Sequence, residues 1–103
     1  MVKLVALLRR PLGISTEEFK EWWLEDHVSK VRVYPGLRKY VVSLSVPSAL
    51  GEPIFDGMAE LWFDDLATAE QAVVSPQAIV GHRQTLSNTE IEIRIMMEEH
   101  VIL

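Results

Sequence analysis

The chain has no cysteine among its 103 residues. That absence excludes disulfide staples, thiolate zinc sites, iron-sulfur clusters and a cysteine nucleophile together, and it makes the cytoplasm the expected compartment. Positive charge is sparse: 10 Lys and Arg stand against 15 Asp and Glu, a formal net charge of −5. Arg9-Arg10 and Arg38-Lys39 are the only adjacent basic pairs, so neither a nucleic-acid backbone nor a membrane surface is an expected partner. Long apolar runs are missing too. The opening MVKLVALLRRP is interrupted by two arginines and a proline, which fits neither a signal peptide nor a membrane span. The glycines at 13, 36, 51, 57 and 81 form no phosphate-binding loop, and Ser43, Ser45 and Ser75 lack the glycines of a nucleophile elbow. The histidines, at 27, 82 and 100, form no His-x-x-x-His pair, so no metal and no cofactor is called for.

What is present suits one folded domain over residues 1–103, with 49% apolar and 24% charged residues. VKLVALLRR, residues 2 to 10, has apolar side chains on both alternation sets, the pattern of a strand covered on two sides. Ser15 and Glu18 form a capping-box signal for a helix starting at about Thr16. Phe19, Trp22, Trp23, Asp26, His27 and Val31 follow at 3 and 4 spacing, and Tyr34-Pro35-Gly36 stops the helix. LRKYVVSLSV (37 to 46) reads as a second strand, PSALGEP as a long loop, and DGMAELWFD as a third strand over about 56 to 63. Asp64-Asp65 caps a helix carrying Leu66, Ala69, Ala72 and Val73, and Ser75-Pro76 restarts helix to about Leu86. Ile91, Ile93, Ile95 and Met97 alternate in a last strand.

Strand, helix, strand, strand, helix, strand is the α+β, ferredoxin-like βαββαβ plan: a four-stranded antiparallel sheet with two helical segments on one face. Two helices cover one face only. Strand one is apolar on both sides, and strand three offers Met58 and Trp62 on one face and Ala59, Leu61 and Phe63 on the other. A second copy of the sheet is the simplest cover, because a few hundred Å² of apolar burial is worth several kcal/mol at roughly 25 cal/mol per Å². A homodimer is therefore expected.

RRPLGIS, FKEWWLEDH, YPGLRKYVV, DGMAELWFDD and EEHVIL, in that order, resemble the EthD family, the ether-degradation family of dimeric α+β barrel proteins. The matching residues are Arg9, Ser15, Phe19, Trp23, His27, Pro35, Gly36, Leu37, Arg38 and Tyr40, with the Ala-Glu-Leu-Trp-Phe segment at 59 to 63. The resemblance implies a small-molecule pocket between helix and sheet. It does not fix a reaction, because the architecture serves isomerases, cyclases, cofactor-free monooxygenases and haem-handling proteins.

His27 shares an inward helical stripe with Phe19 and Trp23. Two readings stay open: a proton shuttle at the pocket, or a core histidine satisfied by a carbonyl or by Asp26. Glu60, inside an apolar strand, orients His27, takes a proton itself, or pairs with a structural partner such as an arginine. Arg9 is a candidate for a substrate carboxylate or for a surface ion pair. Tyr40 is a candidate donor to an enolate or lactone oxygen, with Trp22, Trp23, Trp62 and Phe63 as pocket walls or plain core. Arg94 shares a face with Glu92 and Met96, which points to an ion pair.

The expected activity is that of a small cofactor-independent enzyme of isomerase or lyase type, moving a proton on an apolar cyclic or aromatic-derived molecule, with His27 and Glu60 catalytic and Arg9, Trp23, Tyr40 and Trp62 binding substrate. The alternatives are a non-catalytic dimeric carrier of a hydrophobic small molecule, and a haem- or oxygen-using member of the fold.

Overall fold

The computed structural model describes residues 1–103. Strands β1 (Val2–Arg9), β2 (Lys39–Leu44), β3 (Gly57–Phe63) and β4 (Ile91–Glu98) form one sheet in the order β2-β3-β1-β4, with every neighbour antiparallel. Helix α1 runs from Thr16 to Val31, followed later by α2 (Leu66–Val73) and α3 (Pro76–Asn88). This is the ferredoxin-like plan. β2 is shorter at both ends than its sequence pattern, because Leu37 is held in a turn by Tyr34 and the chain leaves the sheet after Ser45 hydrogen-bonds Asp56.

Each helix begins where a side chain can accept a free N–H. Ser15 Oγ takes Glu18 N–H at 3.1 Å, Asp65 Oδ1 takes Thr68 N–H at 2.8 Å, and Ser75 Oγ takes Ala78 N–H at 3.2 Å. Asp64, beside the cap, instead pairs with Arg38 at 3.1 Å.

The middle of α1 is not α-helical. Thr16–Glu21 and Val28–Val31 flank a π segment, Trp22–His27, in which the Val28 N–H reaches back to Trp23 C=O. In an ideal α-helix, residues four apart drift about 40° around the axis at each step. The wider i→i+5 turn reverses that drift. Phe19, Trp23, His27 and Val31, all at four-residue spacing, therefore stay on one buried face.

Register assigns the two sheet faces. Val2, Leu4, Ala6 and Leu8 of β1 stand beside Phe63, Leu61, Ala59 and Gly57 of β3 and face the helices. On that face one row runs Val42, Ala59, Ala6, Arg94 across all four strands. Its two central members are alanines, so the sheet has a hollow where the rows on either side carry leucines. Gly57 provides a second close approach: a Cβ there would lie 2.8 Å from the Trp23 ring and 2.6 Å from Ser43 O.

The opposite face carries Lys3, Val5 and Leu7, then Met58, Glu60 and Trp62, with Ile91, Ile93, Ile95 and Met97 along β4. The β4 residues are 36–42% exposed. The molecule measures 37 × 35 × 19 Å, one sheet and one helix layer thick, so no further element packs on this face, where neighbouring side chains bury Val5 and Trp62 and leave the β4 row partly exposed.

Candidate active site between helices and sheet

The alanine hollow forms the floor of a cavity of about 40 Å³. Trp23, His27 and Val31 of α1 roof it, Tyr40 and Leu61 close one side, and His82, Thr85, Glu92 and Arg94 stand at the other. His82 and Arg94 side chains are 28% and 39% exposed, which places the mouth between α3 and β4.

His27 is 4% exposed and engaged at both nitrogens. Gln84 Oε1 lies 2.7 Å from Nδ1, and Thr85 Oγ1 lies 3.0 Å from Nε2. The Gln84 amide is itself oriented, because its Nε2 donates to Asp26 Oδ2 at 3.1 Å and a carboxylate only accepts. Gln84 Oε1 must therefore accept from His27 Nδ1–H, and the neutral ring is the tautomer with a free lone pair on Nε2. The Trp22 indole stacks on the imidazole, 4.8 Å between centroids and 16° between planes.

Thr85 has one hydroxyl hydrogen and two acceptors for it, His27 Nε2 and the Gly81 carbonyl at 3.1 Å. With His27 neutral, the hydrogen goes to Nε2. With His27 protonated, Nε2–H donates to Oγ1 and the hydroxyl turns to Gly81. Both states are hydrogen-bonded, so a proton can enter or leave Nε2 without stranding a buried group. Burial lowers the His27 pKa from its ordinary 6.5, opposed by the Gln84 hydrogen bond and by the negative charges of Asp26 and Glu92.

Two other buried polar groups at the cavity, Trp23 Nε1 and Tyr40 Oη, make no well-formed hydrogen bond: the indole N–H faces the phenol oxygen, and the phenol O–H has no acceptor. Burial pushes the Tyr40 phenol up to about 12, with the Trp23 indole N–H opposing the rise. The two groups are therefore neighbours, both able to donate, and Tyr40 stays protonated near neutrality. A buried donor without an acceptor costs about 1–3 kcal/mol, and an oxygen atom of a bound molecule would satisfy the Tyr40 O–H.

Three sequence expectations need correction. Glu60 lies on the open face, away from His27, and pairs with Lys3 Nζ at 2.8 Å rather than with an arginine. Trp62 is on that same face, where its Nε1 donates to Glu99 at 2.8 Å and Lys3 and Lys39 lie 5.2 and 4.7 Å from its ring, so it walls no part of the cavity. Arg9 also points away, with Glu90 at 3.9 Å as its ion partner. The physical reason is strand parity: odd residues of β1 and even residues of β3 share the face that the helices leave bare. The structure does bring His27, Trp23 and Tyr40 together. It adds Gln84 and Thr85, which the sequence reading did not single out. His82 and Glu92 meet at 2.5 Å and Arg94 lies 3.5 Å from Glu92, the ion pair expected of it, whereas His100 is exposed beside Glu98. No group of three His, Asp or Glu side chains is disposed to hold a metal, and no helix is long and apolar enough to cross a membrane.

The sequence model of the EthD domain matches residues 11–81, and the chain belongs to that family. Among solved structures, an EthD family protein of Bacillus halodurans C-125 superposes with a TM-score of 0.88 at 29% identity, covering 97% of this chain and 99% of that one. Two more distant structures share the fold alone. A dimeric protein of ferredoxin-like fold from Bacteroides fragilis NCTC 9343 has a TM-score of 0.72 at 16% identity, covering 95% of each chain. A hydroxynitrile lyase from Passiflora edulis has a TM-score of 0.79 at 13% identity, covering 99% of this chain and 95% of that one. No curated protein matches the sequence.

Proposed function

We propose that the cavity is the active site of a small enzyme that moves a proton on a compact substrate without a cofactor, in an isomerase- or lyase-type step. The observation that carries this reading is the pairing, at one cavity, of a proton-exchangeable His27 Nε2 with the buried Tyr40 O–H, a donor with no acceptor in the chain, beside Trp23 Nε1. A donor to a developing oxyanion and a neutral imidazole as base are the two requirements of enolate-type chemistry. Thr85 Oγ1 relays the proton between the substrate carbon and His27 Nε2, while Tyr40 holds the substrate oxygen.

Size refines the substrate. An apolar cavity that takes up benzene measures roughly 150 Å³, whereas this one is about 40 Å³. A small carbonyl-bearing head therefore enters, and the rest of the molecule sits at the mouth.

The experiment is proton exchange in D2O. Compact cyclic ketones and lactones are incubated with the protein, and loss of their α-proton NMR signals is followed. The wild type accelerates exchange and the folded His27→Gln variant loses that acceleration. Equal exchange by the two proteins removes the acid-base role.

A second reading rests on the two hydrogen bonds that already engage His27. In it the ring only braces the helices, and the cavity carries a small hydrophobic molecule unchanged. Ligand retention without exchange activity in the wild type supports it.

The partly exposed row of isoleucines on β4, on a sheet face over which no element packs, supports a homodimer that closes sheet on sheet, as does the dimeric protein of the same fold. Light scattering on the wild type and on Ile93→Glu tests this: a dimer that dissociates in the variant is the expected result.

A further inference from the structure

We propose that the cavity mouth is a carboxylate-binding subsite with Arg94 as its receptor, so that the natural ligand is a small cyclic carboxylic acid. This deepens the reading of the cavity given above and rests on it.

Arg94 stands on the helix-facing side of β4, in the same row as Ala6 and Ala59, and is the arginine that lines the cavity. Its guanidinium is poorly satisfied. The one ionic contact it makes is from Nε to Glu92 Oε1 at 3.5 Å, beyond good hydrogen-bond length. That same carboxylate oxygen is taken at 2.5 Å by His82 Nε2, a shorter contact that competes for it. Arg94 donates no hydrogen bond within the chain, in contrast to Arg10 and Arg38, which hold Asp56 and Asp64 through Nη at 2.7 and 3.1 Å. A guanidinium presents a planar fork of donors that matches a carboxylate in two parallel hydrogen bonds.

Position supplies the rest. Arg94 is 39% exposed at the side chain, so an incoming anion reaches it from solvent, while Ala6 beside it leads into the apolar floor. A molecule whose acidic group stops at Arg94 at the mouth extends its compact ring, with the carbonyl it carries, into the hollow. Arg9, which the sequence offered for this task, lies on the opposite sheet face.

The test uses two probes of one shape, cyclopropanecarboxylate and cyclopropanecarboxamide, titrated into uniformly labelled protein with the Ala6 methyl and the Arg94 Nε–H as NMR reporters. The carboxylate is expected to shift both signals and to bind at least tenfold more tightly than the amide. Arg94→Gln is expected to lose at least tenfold in carboxylate affinity with the amide unaffected, and Arg94→Lys, which keeps the charge and guards against a folding artefact, to fall between. Equal binding of the two probes, no binding of the carboxylate, or full carboxylate affinity in a folded Arg94→Gln variant overturns the subsite. Ala6→Leu separates this from failure of the cavity itself. If it abolishes probe binding while Arg94→Gln changes nothing, the cavity stands and the anion subsite falls; if probes shift only signals outside the cavity, both fall.

Discussion

Gln84 Oε1 lies 2.7 Å from His27 Nδ1, across 57 residues of sequence, and fixes which nitrogen of the imidazole is free. Gln84→Glu replaces an amide oxygen with a carboxylate at this contact. A negative charge favours the imidazolium, so the His27 pKa rises above its wild-type value. NMR titration of the His27 ring carbons checks this, and an unchanged or lower value shows that the contact does not control the ring.

His27 also makes stability depend on pH. Its pKa is lowered on folding, chiefly by burial, so the unfolded chain takes up a proton first as pH falls. Proton uptake then favours unfolding. The contribution is fully present above the ordinary value of 6.5 and is lost as pH falls through 6.5 toward the lower folded value. Urea midpoints measured at about pH 7.5 and about pH 5 should differ less in His27→Gln than in the wild type.

Tyr40→Phe removes a buried hydroxyl whose O–H has no acceptor. Stability is expected to stay level or to rise by up to about 1 kcal/mol in urea denaturation, the reverse of the usual cost of deleting a hydrogen-bonding group. Proton exchange on the ketone and lactone probes is expected to fall at least tenfold in the same variant. Loss of stability with full activity contradicts both roles.

Gly57→Ala places a methyl against the Trp23 ring and Ser43 O. Overpacking of this kind costs about 1–3 kcal/mol. Near-ultraviolet circular dichroism should register a displaced tryptophan as well.

Much of the fold was legible because it is written locally. The caps at Ser15, Asp65 and Ser75 and the alternation of Ile91, Ile93, Ile95 and Met97 each depend on residues within one turn or one strand. The π segment was not legible, since the four-residue spacing of Phe19, Trp23 and His27 still fits the width of an ordinary α-helical stripe. In the site, helical phase was enough to bring Trp23 and His27 inward. Glu60 and Trp62 were misplaced because both faces of β3 are apolar, and parity alone does not say which face the helices take. Gln84 and Thr85 had no local signature: their roles come from α3 crossing α1, a contact between residues about 58 apart.

The most direct measurement is a high-resolution crystal structure of the protein grown with cyclopropanecarboxylate. Electron density between Ala6, Ala59 and Tyr40, with the carboxylate on the Arg94 guanidinium, is the result the account predicts. An empty, collapsed cavity with Tyr40 Oη bonded to the protein itself, and the probe bound elsewhere or not at all, would contradict it.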